Sequence, residues 1–227
     1  MMDNRGLLRW CPVVFLIFSL ATVSACVKAS TSKSPADTEA TQYQNVNLTP
    51  ILQQRNNAIE GTQHIDAQSY HLVVNGMVQN QLSLSYSDLQ SLPQVSKLAT
   101  LNCVEGWNFT AKWTGPSLKS IFDMAGVLPG ASVVIFHTAD DPDGFTSLDY
   151  SYIIDNDIII AMKLNDVTMP ADRGFPFQVV AEGKYGYKWA KWVTGIELSD
   201  NTNFRGYWEN AGYNNDATVG GPAYESP

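Results

Sequence analysis

Beyond position 26 this chain has one cysteine, Cys103, so no internal disulfide can brace the folded body and a packed apolar core must hold it together. Residues 64–227 are about the size of one domain, and a composition of 44% hydrophobic with 11% aromatic residues supplies such a core. Residues 26–63 are rich in Ser, Thr, Asn, Gln and Ala and show almost no apolar clusters. They are expected to be a flexible tether, because such a segment buries too little surface to fold alone.

The N-terminus explains why the lone thiol matters. Arg5 and Arg9 precede an apolar run from Trp10 to Val23, and Val23-Ser24-Ala25-Cys26 closes it with small residues, the three regions of an export signal. A cysteine directly after the small residues resembles a bacterial lipobox. Residues 1–25 are therefore expected to be a lipoprotein signal peptide, with Cys26 the lipidated first residue and the protein anchored in the cell envelope through lipid only. The apolar run is shorter than the roughly 20 residues of a membrane-crossing helix, and Cys11 falls in the discarded part. An exported protein normally pairs its thiols or lacks them, so a solitary Cys103 points to a ligand or a nucleophile. Removing the signal takes the net charge from −8 to −9, which makes nucleic acid and anionic membrane surfaces poor partners.

The rest reads as short strands with few helices. Tyr70, Leu72 and Val74 alternate with polar or outward-facing neighbours before an Asn75-Gly76 turn that would send the chain into Met77-Val78 as a hairpin. Residues 82–89 look like a strand end feeding a capped helix that Pro93 stops. Leu118, Ile121, Phe122 and Ala125 have helical spacing, with Pro116 at the first helical position and Gly126 at the end. Segments 132–136, 158–162, 175–180 and 192–198 read as strands from their β-branched and aromatic content. The expected class is a mixed, strand-rich α+β fold.

The ordered motifs resemble the molybdopterin-binding domain of the sulfite oxidase family. They are Val73-Val74-Asn75-Gly76, Asn102-Cys103-Val104-Glu105-Gly106-Trp107, Trp113-Thr114-Gly115-Pro116, Arg173-Gly174-Phe175-Pro176, Lys184-Tyr185-Gly186-Tyr187-Lys188 and Phe204-Arg205-Gly206-Tyr207-Trp208-Glu209. The resemblance runs from about Tyr70 to Tyr213. It implies a sulfite oxidase-type fold, a molybdopterin cofactor and Cys103 as the thiolate on molybdenum, a soft ligand for that site. It also implies cofactor contacts from Asn102, Thr138, Arg173, Gly186, Tyr187 and Lys188. From Arg173 to Lys191 four basic residues occur with Glu182 the only acid after Arg173, an anion site on an otherwise acidic chain.

Several departures bear on the substrate. Many members read His-Gly-x-Pro-x-Arg where this chain has Arg173-Gly174-Phe175-Pro176-Phe177-Gln178. Asp140, Asp141 and Asp143 add carboxylates near the expected pocket, and Phe145 stands where sulfite oxidases carry a Tyr. A small dianion would meet repulsion and lose a donor, so sulfite is disfavoured. Arg5 and Arg9 are not adjacent, so the signal is not of the twin-arginine kind expected for a protein exported with its cofactor. The leading expectation is a molybdenum oxidoreductase acting on a small substrate, with a separate electron carrier, a cytochrome or membrane redox protein, since no Cys-x-x-Cys-His haem motif occurs. Two further readings are a non-catalytic small-molecule-binding lipoprotein and a cysteine hydrolase, for which His137 is the only candidate base.

Overall fold

The computed structural model describes residues 38–225; the signal segment, Cys26 and residues 26–37 lie outside the described residues. Its central feature is a long hairpin of β5 (Gln94–Asn102) and β6 (Asn108–Pro116), paired in register from Gln94↔Pro116 to Asn102↔Asn108. The two-residue period is visible in its side chains. Ala99, Leu101, Phe109, Ala111 and Trp113 are buried on one face. On the other, Ser96 meets Thr114 at 2.8 Å and Thr100 meets Thr110 at 2.7 Å through their hydroxyls, cross-strand pairs worth about 0.2–1 kcal/mol each. The hairpin loop is the Cys103 motif.

β6 continues through β10 (Lys163–Leu164) and β11 (Val167–Thr168) into a four-stranded antiparallel sheet. A second sheet has five strands in the order β4 (Leu82–Ser85), β3 (His71–Gly76), β13 (Val193–Ser199), β7 (Val133–Thr138), β8 (Thr146–Asp149). Only its β3–β13 pairing is parallel. A short pair joins β9 (Ile160–Ala161) to β12 (Gln178–Val179). One hydrophobic core is shared by both sheets, and α2 (Leu118–Ala125) gives it Leu118, Ile121, Phe122 and Ala125. The mixed strand-rich α+β expectation holds.

Local chemistry explains the helix ends. α1 (Tyr86–Ser91) starts at Ser85, whose side chain accepts from the Asp88 backbone N–H while the Asp88 carboxylate accepts from the Ser85 N–H, a reciprocal capping box. α2 ends at Gly126 in the left-handed region, as expected. Pro116 differs from expectation: it is the last residue of β6, and Ser117 caps the helix instead. The hairpin partner of β3 also differs. Gly76 turns the chain, but the Met77 N–H donates to the Leu198 carbonyl and the strand that pairs with β3 is β4. The stretches 158–162 and 175–180 form only the two-residue strands β9 and β12.

The largest correction concerns the tether. From Thr38 onward the segment expected to be flexible carries β1 (Gln42–Tyr43) and β2 (Val46–Asn47). It is bonded to the domain mostly through polar groups. The Glu39 carboxylate accepts from Ile51 N–H at 2.7 Å and from the buried Asn165 side chain at 3.0 Å. Asn165 also donates to the Thr49 carbonyl, and Thr49 N–H donates to the Thr110 carbonyl of β6. Leu48 is buried. A largely polar segment thus forms a strap along the domain, held mainly by hydrogen bonds, with Leu48 and Ile51 adding apolar contact. No helix among the described residues is long and apolar enough to cross a membrane.

Candidate active site

The β5–β6 hairpin presents Cys103 at its turn. Cys103 N–H donates to the Trp107 carbonyl at 2.9 Å and Gly106 N–H donates back to the Cys103 carbonyl at 3.1 Å, closing a tight loop. That loop needs Gly106 at φ 85°, which a residue with a side chain adopts poorly. Cys103 is half-buried. Burial pushes its thiol up, the Glu105 N–H pulls it back, the Glu105 charge pushes it up again, and the Val104 N–H again lowers it. The net direction is upward, so the thiol stays protonated until something electropositive binds it.

A cleft whose empty space, open mouth included, is about 870 Å³ surrounds the thiol. Its walls are strongly aromatic, with Trp107, Phe109, Phe145, Tyr187, Trp189, Trp192, Trp208 and Tyr213 all contributing. The charged groups lining it are Arg55, Arg173 and Lys191 against Glu105 and Asp140. One wall comes from the strap, residues 55–59. Lys191 Nζ donates to the Asn56 side chain and to the Asn57 carbonyl and lies 4.2 Å over the Trp192 ring. Burial is the main reason its amine is pushed down to about 8; Asp140 opposes the shift and the neighbouring Arg173 adds to it. The polar composition of residues 55–59 concealed their place beside the thiol. Glu39 and Asn165, which hold the strap, gave no sequence signal at all.

The expected site residues do not all converge. Gly186 and Tyr187 line the cleft beside Cys103, on a 3-10 turn (Gly186–Lys188) packed so closely that a Cβ at Gly186 would stand 3.1 Å from Leu101 Cδ2. Asn102 borders them, pairing through its backbone with Tyr185, while its side chain donates to the Thr100 carbonyl. Lys188 points elsewhere. Its ammonium, 1% exposed, donates to the Ser147 carbonyl at 3.0 Å, the Asn215 side chain at 2.8 Å and the Glu209 carboxylate at 2.5 Å, which uses all three protons. Lys184 is paired with Asp216. Of the basic run, Lys191 and Arg173 reach the cleft.

Arg173 lines it, yet its guanidinium donates to the carbonyls of Arg55, Ile51 and Gln54, so it fastens the strap. Its Nε lies 3.5 Å from the Asp172 carboxylate without a hydrogen bond. Thr138 is fully buried, and its hydroxyl donates to Asp140 and accepts from the Asp141 N–H rather than facing the cleft. Of the three loop carboxylates only Asp140 lines the cleft; Asp141 and Asp143 line a neighbouring depression. His137 has both ring nitrogens engaged, with Glu197 at 3.1 Å and the Pro142 carbonyl at 2.8 Å, and does not line the cleft. Cys103 therefore has no histidine base, and its raised thiol is the opposite of an activated nucleophile.

Among the described residues no group of three or more His, Cys, Asp or Glu could hold a metal ion. A metal here would have one protein sulfur and draw its other ligands from a bound organic group. The surroundings fit such a group: flat aromatic walls suit a fused heterocycle, and Lys191 with the backbone near Gly186 offers donors to a phosphate.

Comparison with known proteins bears on the same residues. The chain is 33% identical over 150 residues to the putative protein-methionine-sulfoxide reductase subunit YedZ1 of Azospira oryzae, covering 66% of this chain and 56% of that protein. It is 26% identical over 175 residues to the protein-methionine-sulfoxide reductase catalytic subunit MsrP of Campylobacter jejuni, covering 70% and 58%. The chain thus spans little more than half the length of these two relatives. In fold it is similar to the sulfane dehydrogenase SoxCD from Paracoccus pantotrophus, with a TM-score of 0.62 at 22% identity over 76% of this chain and 50% of that one. Residues 59–208, from the cleft-facing end of the strap to Trp208, match the family described as the oxidoreductase molybdopterin-binding domain, and the chain belongs to that family.

Proposed function

We propose that this chain is a surface-anchored, molybdenum-dependent oxidoreductase that moves an oxygen atom and two electrons to or from a small neutral substrate of the sulfoxide or thioether kind, rather than sulfite. The single observation that carries the reading is the lone Cys103 thiol, held by a tight loop inside an aromatic cleft that has no histidine base. In this reading Cys103 gives the protein sulfur to molybdenum, Gly186 and Tyr187 with Asn102 behind them wall the pterin, and Lys191 faces its phosphate. The bound group supplies the two-electron redox change and the oxygen transfer.

The protein's own part is binding and exclusion. Aromatic rings keep bulk water away and accept the alkyl groups and sulfur of an uncharged sulfur compound through contact area and S–aromatic contacts. The cleft is a poor fit for sulfite because Arg173 commits three of its guanidinium N–H groups to the strap and Phe145 has no hydroxyl to offer a small oxyanion. The names of the two methionine-sulfoxide reductase relatives agree with a sulfoxide. Anchoring rests on the Cys26 sequence pattern, and Cys26→Ala should leave the protein in the soluble fraction.

The test is elemental analysis of natively purified protein, followed by dye-coupled assays of methionine sulfoxide reduction and of sulfite oxidation. About one molybdenum per chain, sulfoxide turnover and loss of both in Cys103→Ala support the proposal. Fast sulfite oxidation overturns the substrate. Absence of molybdenum from native material overturns the enzyme in favour of a non-catalytic binding lipoprotein.

A further inference from the structure

The Cys103 cleft shares one wall with a second depression on the surface. Trp208 lines both. The outer depression is otherwise formed by Asp141, Asp143, Phe204, Arg205, Tyr207 and neighbours from the short helix Tyr207–Asn210. Tyr207 is 44% exposed and meets Trp208 edge-on with ring centres 5.1 Å apart. Trp208 in turn lies 5.4 Å from Tyr213, and Tyr213 5.1 Å from Tyr187. Trp208, Tyr213 and Tyr187 line the cleft that holds Cys103, so an unbroken series of ring contacts leads from the protein surface to the candidate redox site.

Charge narrows what can sit there. Asp141 and Asp143 belong to the depression, Asp140 stands next to them, and the one cation, Arg205, is already paired with Glu225 at 3.0 Å. The chain as a whole carries −8. Such a surface attracts a basic protein at low ionic strength and repels an acidic one.

We propose that this depression is the docking surface for a one-electron carrier protein with a basic face, and that Trp208 is the ring through which electrons pass between carrier and cleft. This rests on the oxidoreductase reading above. Each encounter moves one electron, so one substrate needs two encounters; the rings transmit the electron and are themselves neither oxidised nor reduced.

The experiment uses molybdenum-loaded holoenzyme, reduced with dithionite, freed of excess reductant and mixed with ferricytochrome c, a basic haem protein, or with dichlorophenolindophenol, a small dye. The two electrons released reduce two haems or one dye molecule. Tyr207→Ser and Asp143→Lys lie outside the cleft. Each should slow haem reduction at low salt by about tenfold, Asp143→Lys should also flatten its dependence on salt, and both should leave dye reduction unchanged. Equal effects on haem and dye, or none on either, overturn the docking surface. So does a molybdenum-loaded enzyme that reduces the dye and not the cytochrome. Protein that contains no molybdenum fails earlier, at the proposed function itself.

Discussion

Replacing Lys188 with Met separates a structural lysine from a cofactor-binding one. The ammonium is 1% exposed, its partner Glu209 carboxylate is fully buried, and Glu209 Oε2 already lacks a hydrogen bond. Burial lowers the Lys188 amine overall and the adjacent Glu209 charge opposes that shift, so the lysine depends on this one carboxylate contact. Removing the lysine leaves a buried carboxylate whose remaining partner is the Thr146 hydroxyl at 2.6 Å. It also takes a donor from the Ser147 carbonyl and from Asn215 Oδ1. Breaking a buried pair from one side costs about 3–5 kcal/mol, a large share of the roughly 5–15 kcal/mol available to a domain, and for this size lowers the melting temperature by about 6–20 °C. The double variant Lys188→Met, Glu209→Leu should recover at least about 1 kcal/mol, since it removes the orphaned charge along with its cause. Urea unfolding of cofactor-free protein, followed by tryptophan fluorescence, measures both. A single variant within about 0.5 kcal/mol of wild type that loses only cofactor loading would refute the structural assignment.

Three other outcomes follow from the site. Arg173→Met removes three hydrogen bonds that fasten the strap, each worth about 1–2 kcal/mol; the Thr49 and Gln54 amides should then exchange with deuterium about 100-fold faster or more while the β5–β6 amides are unchanged. Lys191, pushed down to about 8 in the fold, binds fewer protons there than in the unfolded chain, where its pKa is about 10.4. Stability should therefore rise between about pH 8 and 10.4, by about 1–3 kcal/mol after allowance for its partial exposure; subtracting the urea midpoints of Lys191→Met isolates the effect, and a flat difference across that range refutes it. Gly115→Ala should fail to accumulate as soluble protein, because its Cβ would stand 1.8 Å from the Ile160 carbonyl oxygen.

What could be read from the sequence was whatever is written in local pattern. The capped helix after the strand at residues 82–85, the α2 face with its Gly126 stop and the strand at β13 depend on neighbours within a few positions, and each lies where the pattern put it. Two-sided burial hid more: β9 and β12 are embedded in apolar runs whose ends no periodicity marks, so their lengths were overread. Pro116 was misplaced because both a strand end and a first helical turn accept its φ.

The site divides along the same line. Cys103, Gly186 and Tyr187 fall together because a hairpin turn and an adjacent 3-10 turn carry them rigidly. Lys188 and Lys191 are three residues apart, and composition cannot say which of two nearby lysines meets a distant carboxylate. Glu209, more than twenty positions away, decides it by claiming Lys188, and so leaves Lys191 to the cleft. The strap was illegible for a related reason. Its stability comes from Glu39, Asn165 and Arg173, groups far apart in the chain that satisfy backbone atoms one by one. An apolar count scores such a segment as unfolded even though it walls the cleft. A polar stretch beside a folded domain is therefore free only if no buried side chain elsewhere needs its carbonyls, and here the buried guanidinium of Arg173 does.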